Sequence, residues 1–434
     1  MPLGAGQPAL RARGRTDMST EQPPNPGRAN RAPSLCTARV LALDSAPDII
    51  RELQRMGASS ALEPAARTRL VKLDAVSAST AQALSRQMAQ CGGEAAISQR
   101  AAPDAKHTTD CLLIGSTASY RRLLERLRDD QGGLRQAVDE IARALNAFEV
   151  PLGGELRCGA RTLRLGARTL VMGVVNATPD SFSGDGLAGD VGAMVALGEE
   201  MTAQGADVID VGGESTRPGS HAVDAQEEIA RVVPVVAQLS KRINIPISID
   251  TYKTDVARAA LDAGAAMIND ISALRADAGM AALAACACVP VIVMHMQGAP
   301  KTMQQAPHYH DLMGEIAAHL RESVDLAARA GVARDQVVID PGFGFGKTVN
   351  HNLEIVRRLR ELKSLGQPVL LGPSRKSTIG RVLDLPAQER LEGTLSVLAL
   401  AVANGADMVR VHDVAAAVRA ARMAEAVVRG WPGD

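Results

Sequence analysis

Eight short apolar runs recur between residues 168 and 430, and stretches with the spacing of amphipathic helices separate them. This alternation indicates parallel β-strands joined by helical crossovers. Eight such units in about 260 residues are the number and the size expected of a TIM barrel. The runs are LVMGVV (170–175), DVIDV (207–211), PISI (246–249), AMIN (266–269), VPVIVM (289–294), QVVID (336–340), PVLLG (368–372) and DMVRV (407–411).

An open, doubly wound sheet is the alternative fold, because strand and helix patterns alone do not show whether the sheet closes. Two short strands joined at Gly159 predict a β-hairpin over 155–165, just before the first run. We therefore expect an α/β protein in which this hairpin and a TIM (β/α)8 barrel span 151–434.

The region before the barrel, residues 35–150, has its own alternation of apolar runs and helical patterns. It predicts a small α/β domain, whose role stays open because it contains no motif with an evident chemical function. The expected strands are 38–43, 69–75, 94–98 and 111–115, and the expected helices are 46–57, 79–91, 119–128 and 134–148.

Residues 1–34 are rich in Pro, Gly, Arg and Ser and show no periodicity, which predicts a disordered leader. This segment lacks the apolar stretch of a secretory signal. The sequence leaves open whether translation starts at Met1 or at Met18.

The charge balance excludes several classes of function. The chain has 48 basic and 48 acidic side chains, which argues against a nucleic-acid or anionic-membrane partner. No apolar run reaches the length of about 18 residues that a membrane span needs. The six cysteines are scattered, which is typical of free thiols in a reducing cytoplasm. Cys286 and Cys288 lie among alanines and are expected to be buried.

Aromatic residues are rare, with one Trp, three Tyr and four Phe, so the core must be aliphatic. Most of the rings fall in loops that follow the predicted barrel strands. We expect these rings to face a flat ligand and stack on it. They are Phe182, Tyr252, Tyr309, Phe343 and Phe345.

Polar residues follow every predicted barrel strand, and the carboxyl ends of the strands form the functional face of this fold. One group offers carboxylates and an amide that suit the N–H edge of a heteroaromatic ring: Asp250, Asn269 and Asp340. A second group is cationic and follows strands 2, 7 and 8, next to the usual phosphate corner of the fold: Arg217, Arg375, Lys376, Arg410 and His412. The sequence thus predicts a ligand with a polar ring at one end and a phosphate at the other.

Eight motifs in this order resemble the dihydropteroate synthase family. They lie at 176–182, 212–219 (GGESTRPG), 248–251, 269–271, 294–296, 340–347, 374–377 and 410–414. The resemblance covers about 168–430, essentially the whole barrel.

The resemblance implies condensation of 6-hydroxymethyl-7,8-dihydropterin pyrophosphate with p-aminobenzoate, giving 7,8-dihydropteroate and pyrophosphate in folate biosynthesis. By position, the implied pterin ligands are Asp250, Asn269, Asp340 and Lys376. The implied pyrophosphate ligands are Asn176, Arg217, Arg410 and His412, with Mg²⁺ bridging the phosphate oxygens and Asn176.

Three residues are implied to border the aminobenzoate, namely Thr216, Phe345 and Ser377. The family pattern also implies substrate contacts at Met294 and Gly372, and catalytic roles for Asp250, Asp340, Lys376, Arg410 and His412. It further implies a homodimer formed through the outer helices of the barrel.

Three features depart from the family pattern. Gly184 and Asp185 are exchanged relative to the usual order, Pro373 precedes the Ser-Arg-Lys-Ser motif, and the region 35–150 is additional to a minimal enzyme. Two other functions remain open at this point. One is a pterin-dependent methyltransferase, which would not need the cationic motifs at 374–377 and 410–412. The other is a non-catalytic regulatory paralogue.

Overall fold

The structure is a computed structural model that describes residues 38–98, 108–128, 133–150, 152–178, 190–215, 222–298 and 302–431. The predicted leader therefore lies outside the described residues. The chain divides into two compact units, one ending at Arg67 and the other beginning at Thr68.

The first unit contains helices α1 (Ala46–Arg55) and α2 (Glu63–Ala66) with a 3-10 turn between them (Ser60–Leu62). Ser45 caps α1 by accepting a hydrogen bond from the Asp48 amide at 3.2 Å. The prediction of a strand over 38–43 is wrong, because these residues pair with no strand in the described part of the chain and Val40 is 99% exposed.

The second unit begins with an antiparallel sheet of three strands in the order β1-β3-β2. Three helices, α3, α4 and α5, share one hydrophobic core with this sheet. The other predicted strands and the helices of this region are confirmed to within a few residues. The elements are β1 (Thr68–Ser77), α3 (Ala78–Gln90), β2 (Glu94–Ile97), β3 (Thr108–Ser116), α4 (Thr117–Arg126) and α5 (Arg135–Glu149).

The barrel follows the predicted hairpin, which is confirmed as β4 (Gly154–Cys158) and β5 (Arg161–Leu165). All eight apolar runs form parallel strands of one sheet. The strands are β6 (Leu170–Asn176), β7 (Val208–Gly212), β8 (Ile247–Asp250), β9 (Met267–Asp270), β10 (Val291–Met294), β11 (Val337–Asp340), β12 (Leu370–Leu371) and β13 (Met408–Val411).

Helices connect the barrel strands in the expected alternation. They are α6 (Val191–Ala203), α7 (Ala225–Arg242), α8 (Thr254–Asp262), α9 (Met280–Ala287), α10 (Leu312–Arg329), α11 (Val349–Arg358), α12 (Ser377–Leu383), α13 (Leu391–Ala403) and α14 (Val414–Arg429). A bridge between Ile339 and Val369 joins β11 to β12 and closes the sheet. The TIM barrel is therefore confirmed and the open sheet excluded.

Local sequence signals account for the helix boundaries. In α7, Asp224 accepts a hydrogen bond from the Gln226 amide at 2.8 Å and so caps the first turn. Acidic residues occupy that first turn and basic residues the last, which complements the helix dipole. Among the described residues, no helix combines the length and apolarity needed to cross a bilayer.

The strands present one face to the helices and the other to the barrel interior, because side chains alternate along a strand. At the amino-terminal end of the barrel the interior face is apolar and packs against the hairpin. Gln336 fixes the hairpin there, since it donates to the Glu155 carbonyl at 2.9 Å and accepts from the Arg157 amide at 2.8 Å. The cluster contains Leu156, Cys158, Leu163, Leu165, Met172, Val208, Met267, Ile292, Val338, Leu370 and Met408.

Two ion pairs join the N-terminal sheet and α5 to the α10 side of the barrel. Arg321 on α10 donates to Glu140 on α5 at 2.7 Å. Lys72 on β1 donates to Asp311, the residue that precedes α10, at 2.6 Å. One pair lies in the middle of α10 and the other at its start.

The prediction that Cys286 and Cys288 are buried is wrong, since both are exposed at the end of α9. Cys288 terminates this helix in a left-handed conformation, with φ of 52°. Both cysteines lie on the solvent-exposed part of the last turn, so the neighbouring alanines did not indicate that this turn is buried.

Candidate active site

The interior face of the barrel changes from apolar to polar toward the carboxyl ends of the strands. On four strands, the residue two positions after a member of the apolar cluster is polar. These residues are Asp210, Asn269, Asp340 and Arg410. Alternation along each strand requires these side chains to point into the barrel as well. Asp210, Asn269 and Asp340 are buried and Arg410 is partly buried, so little water reaches them and the electrostatic interactions among them are strengthened.

Arg410 lies at the centre of this polar layer. Its Nε donates to Asp210 Oδ2 and its Nη2 donates to Asp250 Oδ2, both at 2.7 Å. Asn269 Nδ2 donates to the same oxygen of Asp210 at 3.0 Å. Burial lowers the pKa of Arg410, but the two aspartates outweigh it and the net pKa is raised. The guanidinium therefore stays charged and fixed in place before any ligand arrives.

Asp210 was not among the residues expected from the sequence. It lies inside the apolar run DVIDV, and its side chain is fully buried. A charged residue at an inward position of a buried strand was a signal, because a buried carboxylate needs a partner. That partner, Arg410, is distant in sequence and could not be identified without the fold.

The two predicted carboxylates occupy strongly desolvated positions. Burial raises the pKa of Asp250 to about 7, although Arg410 opposes the shift. Burial also raises the pKa of Asp340, with Lys376 opposing. Asp340 Oδ1 accepts the Gly342 amide at 2.7 Å, which fixes the carboxyl group at the end of β11. Both groups suit a ligand that supplies N–H donors to them.

Lys376 occupies the position just before α12 and extends toward the β11 loop. Its Nζ donates to the Phe343 carbonyl and lies 4.3 Å from the centroid of the Phe345 ring. Burial lowers the pKa of Lys376 to about 8, with Arg410 acting in the same direction and Asp340 opposing. A cation over an aromatic face is a favourable arrangement and holds the two side chains together.

The loop after β11 depends on glycine. Gly342 has φ of 71°, and a Cβ atom there would lie 1.9 Å from the His295 carbonyl oxygen. Gly344 has φ of 86°, and its Cβ would lie 2.7 Å from Lys376 Cδ. Only glycine combines positive φ with such close approach.

The expectation that the loop rings face a ligand is wrong for Phe343, which is fully buried in the core between strands and helices. Tyr309 donates its hydroxyl to the Gly346 carbonyl at 2.8 Å, and Tyr252 donates its hydroxyl to Glu214 at 2.8 Å. Phe345 is half-buried beside Lys376. Phe182 lies outside the described residues.

The cationic corner is smaller than the sequence indicated. Arg375 makes two hydrogen bonds to Asp413, at 3.0 and 2.6 Å, so its guanidinium is fixed against the loop after β13. Its charge is paired there, as that of Arg410 is by Asp210 and Asp250. His412 lies beside Ser374, with 2.9 Å between Nδ1 and Oγ. Ser374 Oγ also accepts the His412 amide at 3.2 Å, which fixes the loop after β13 against the loop after β12.

A buried lysine that sequence reasoning did not assign lies beneath the β11 loop. Lys347 Nζ is 3.0 Å from His295 Nδ1, and it donates to the carbonyl groups of Phe345 and His295 at 2.9 and 3.3 Å. Burial lowers the pKa of Lys347 to about 7. Burial, with Lys347 as the next cause, lowers the pKa of His295 to about 2, so this imidazole is neutral.

Glu214 anchors the start of the loop that follows β7. It pairs with Lys253, which also pairs with Glu228. Thr216 and Arg217 come directly after this anchor and lie outside the described residues. The exchanged residues Gly184 and Asp185 lie outside them as well.

The remaining predicted residues are at the same end of the barrel. Asn176 ends β6 and is half-buried, Met294 ends β10 and is buried, and Gly372 follows β12. Ser377 is exposed at the start of α12. Within the described ranges, no cluster of three or more His, Cys, Asp or Glu side chains could hold a metal ion.

A closed barrel with its polar residues gathered at the carboxyl end of the strands is an enzyme barrel. Residues 172–412 match the sequence family described as pterin binding enzyme. The dihydropteroate synthase of Clostridium beijerinckii is 45% identical over 275 residues, which cover 63% of this chain and 100% of that protein. The solved structure of Xanthomonas albilineans dihydropteroate synthase with 4-aminobenzoic acid matches with a TM-score of 0.60 and 44% identity, covering 64% of this chain and 100% of that one.

The chain therefore belongs to the family of pterin-binding enzymes. Its activity is that of a dihydropteroate synthase, a transferase of folate biosynthesis.

One relative also matches outside the barrel. The probable bifunctional folylpolyglutamate synthase/dihydropteroate synthase of Halobacterium salinarum is 39% identical over 351 residues, which cover 81% of this chain and 42% of that protein. Residues 151–434, which contain the hairpin and the barrel, account for less than 81% of the chain. The match therefore reaches into the residues before 151.

Proposed function

We propose that the mouth of the barrel binds 6-hydroxymethyl-7,8-dihydropterin pyrophosphate with its ring toward Asp250, Asn269, Asp340 and Lys376. The arrangement of Arg410 carries this proposal, because its guanidinium is held between Asp210 and Asp250 at the boundary between the acceptor residues and the cationic residues. The carboxylates of Asp250 and Asp340 would accept the ring N–H groups, and Asn269 would complete that edge.

The pyrophosphate end of the substrate would lie toward Arg410 and His412, with Arg217 added from the loop after β7. Cleavage of the bond between the pterin methylene carbon and the pyrophosphate oxygen places negative charge on the departing oxygen. Fixed cations at that position lower the barrier, because they stabilise charge that develops in the transition state.

The amino group of p-aminobenzoate would attack the methylene carbon with its lone pair and later release a proton to solvent. The desolvated carboxylates of Asp250 and Asp340 favour positive charge on the pterin while the bond breaks. Thr216, Phe345 and Ser377 would border the aminobenzoate, with Met294 and Gly372 lining the floor of the site.

Asn176 fits a role in holding Mg²⁺. Its carboxamide offers a neutral oxygen ligand at the carboxyl end of β6, and the residue is half-buried at the mouth of the barrel. Mg²⁺ typically binds one or two protein oxygens and completes its shell with substrate phosphates and water. When bound, it would neutralise charge on the leaving pyrophosphate.

The test is pyrophosphate release with both substrates and Mg²⁺, comparing the wild type with Lys376→Ala. We expect release that depends on p-aminobenzoate and that falls at least tenfold in the variant, because a buried charge next to Asp340 is lost. Equal and slow release by both proteins would overturn the proposal.

We also propose a homodimer formed through the outer helices of the barrel. Large apolar side chains are exposed on α13 and α14, where Leu400 is 56%, Met423 65% and Val427 74% exposed. Exposed apolar patches of this kind favour association. Sedimentation of wild type and Met423→Lys tests this, with a monomeric wild type as the contrary result.

Residues 35–150 are proposed to have no direct catalytic role. The titratable cluster in their described part, Lys72 with Asp74 and Asp110, is 40–57% exposed, whereas the carboxylates at the barrel mouth are desolvated. The five free cysteines of the described region favour a reducing, cytoplasmic location. Cell fractionation would test the location.

A further inference from the structure

The loop Phe343–Gly346 has a side-chain donor at each of its four successive carbonyl groups. Buried carbonyl groups need such partners, so these contacts define the shape of the loop. The pairs are Lys376 Nζ with Phe343, Gln304 Nε2 with Gly344 at 2.7 Å, Lys347 Nζ with Phe345 at 2.9 Å and Tyr309 OH with Gly346 at 2.8 Å.

Two of these donors, Gln304 and Tyr309, come from one segment, residues 302–311 between β10 and α10. Burial raises the pKa of Tyr309, so its hydroxyl stays protonated and available as a donor. Gln297, near the end of β10, holds the same segment by donating to the His308 carbonyl at 2.8 Å and accepting its amide at 3.1 Å.

The far end of this segment contacts the N-terminal sheet. Asp311 caps α10 by accepting the Gly314 amide with Oδ1 at 3.1 Å, and its Oδ2 accepts Lys72 Nζ from β1 at 2.6 Å. Burial would raise the pKa of Asp311, but the Lys72 ammonium and the Gly314 amide hold it below its usual range. A continuous series of contacts thus leads from β1 to the loop that carries Phe345.

We propose that the N-terminal sheet steadies the active-site loop through Lys72, Asp311 and the segment 302–311, so that Gln304, Tyr309 and Lys72 are positioning residues for Phe345. The additional region then affects how tightly the site holds the aminobenzoate without touching it. This inference rests on the proposed placement of p-aminobenzoate beside Phe345.

The first experiment compares two variants of the full-length chain, Lys72→Met and Arg321→Met, each of which removes the cation of one pair. Lys72 also lies 2.7 Å from Asp74 and 3.6 Å from Asp110 of its own sheet. The Lys72–Asp311 and Arg321–Glu140 pairs both join the N-terminal region to the barrel, and their side chains have similar exposures of 40/39% and 45/42%. Only the first pair is connected, through the segment 302–311, to the loop Phe343–Gly346. We expect Lys72→Met to raise the KM for p-aminobenzoate about two- to threefold, as suits a half-exposed ion pair, with kcat and the pterin KM unchanged. Arg321→Met should leave all three constants unchanged.

The second experiment uses Tyr309→Phe, which leaves the Gly346 carbonyl without its donor. We expect the KM for p-aminobenzoate to rise about five- to tenfold. Combining Tyr309→Phe with Lys72→Met should add little to Tyr309→Phe alone, because both act on the same loop. If the two KM effects multiplied fully in the double variant, Lys72 and Tyr309 would not act through the same loop.

Amide hydrogen exchange gives a readout that does not depend on the reaction. Peptides covering 302–311 and 342–348 should exchange faster in Lys72→Met than in Arg321→Met. Equal exchange and equal KM values in the two variants would overturn the inference. Phe345→Ala separates this result from a failure of the substrate assignment: an unchanged p-aminobenzoate KM in that variant refutes the placement beside Phe345, whereas the exchange data still decide the route.

Discussion

Asp210, a fully buried carboxylate, accepts a 2.7 Å hydrogen bond from Nε of Arg410, and Asp250 accepts a second one from Nη2 at 2.7 Å. The cation is therefore oriented by the protein and not by the ligand. Such preorganisation means that little rearrangement is needed when an anionic group arrives. Asp210 thereby joins the site as a positioning residue.

Replacing Asp210 by Asn should lower kcat/KM for the pterin substrate by about ten- to a hundredfold, because a buried ion pair loses one charge while its shape is kept. Asp407→Asn is the matched control. Asp407 is also a buried aspartate, bonded to Lys363 at 2.5 Å and to the Val369 amide at 2.8 Å, but it precedes β13 at the opposite end of the barrel. That variant should lose stability and keep kcat/KM. Equal kinetic losses in both variants would show that the effect is structural.

The pH dependence of kcat/KM should report on Lys376. Because burial lowers the pKa of Lys376 to about 8, the free enzyme loses this positive charge as pH rises through that value. We expect kcat/KM for the pterin substrate to fall on the alkaline side, since this parameter reports groups of the free enzyme. In Lys376→Arg the fall should move to higher pH, even if the maximum is lower, because a guanidinium stays protonated. An unchanged profile in the variant would assign the fall to another group.

Stability should rise with pH through the titration of Lys347. Its pKa of about 7 in the folded protein lies below the ordinary 10.5, so between these values the unfolded chain binds a proton that the folded chain does not. The free energy of unfolding then increases with pH, by at most about 1.4 kcal/mol per pH unit for one proton. Urea unfolding of wild type and Lys347→Met at several pH values measures the difference. A constant difference from neutral to alkaline pH would mean that Lys347 stays charged in the fold.

Gly342→Ala should be strongly destabilising, with a loss of more than about 2 kcal/mol, since a methyl group there meets the His295 carbonyl at 1.9 Å. Gly57 provides the control because it has the same φ of 71°, and a methyl group there would meet no atom within 4 Å. Gly57→Ala should cost only the left-handed conformation, about 1–2 kcal/mol. Thermal melts of both variants decide between backbone strain and close approach as the cause.

Removal of residues 1–150 should leave turnover intact, because the barrel contains the whole site. A complete dihydropteroate synthase from Clostridium beijerinckii matches without this region, covering 63% of this chain. The truncated protein should show a raised KM for p-aminobenzoate, as in Lys72→Met. Circular dichroism must confirm that the barrel is folded. Loss of turnover in a folded barrel would give the N-terminal region a direct role.

The strands and the side of the barrel that carries the site could be predicted from sequence because their signals are local. Eight apolar runs end in polar residues, and Asp250, Asn269, Asp340 and Arg410 do meet at one end. The partners and the burial of individual side chains could not be predicted in the same way. The pairing of Arg375 with Asp413 and the burial of Phe343 depend on residues from other parts of the chain.

The strand expected over 38–43 failed for a related reason. Its alternation of apolar residues is a local property, but a strand also needs a neighbour for its backbone hydrogen bonds. Asp210 was missed because a single carboxylate in an apolar run has no local partner that would indicate its role.

The hairpin β4–β5 closes the amino-terminal end of the barrel with Leu156, Leu163 and Leu165, which pack against the interior side chains. We therefore expect both substrates to enter, and both products to leave, through the opposite end. In the proposed arrangement the pterin lies deepest, so it has to enter before the aminobenzoate, and dihydropteroate has to leave before the next pterin binds.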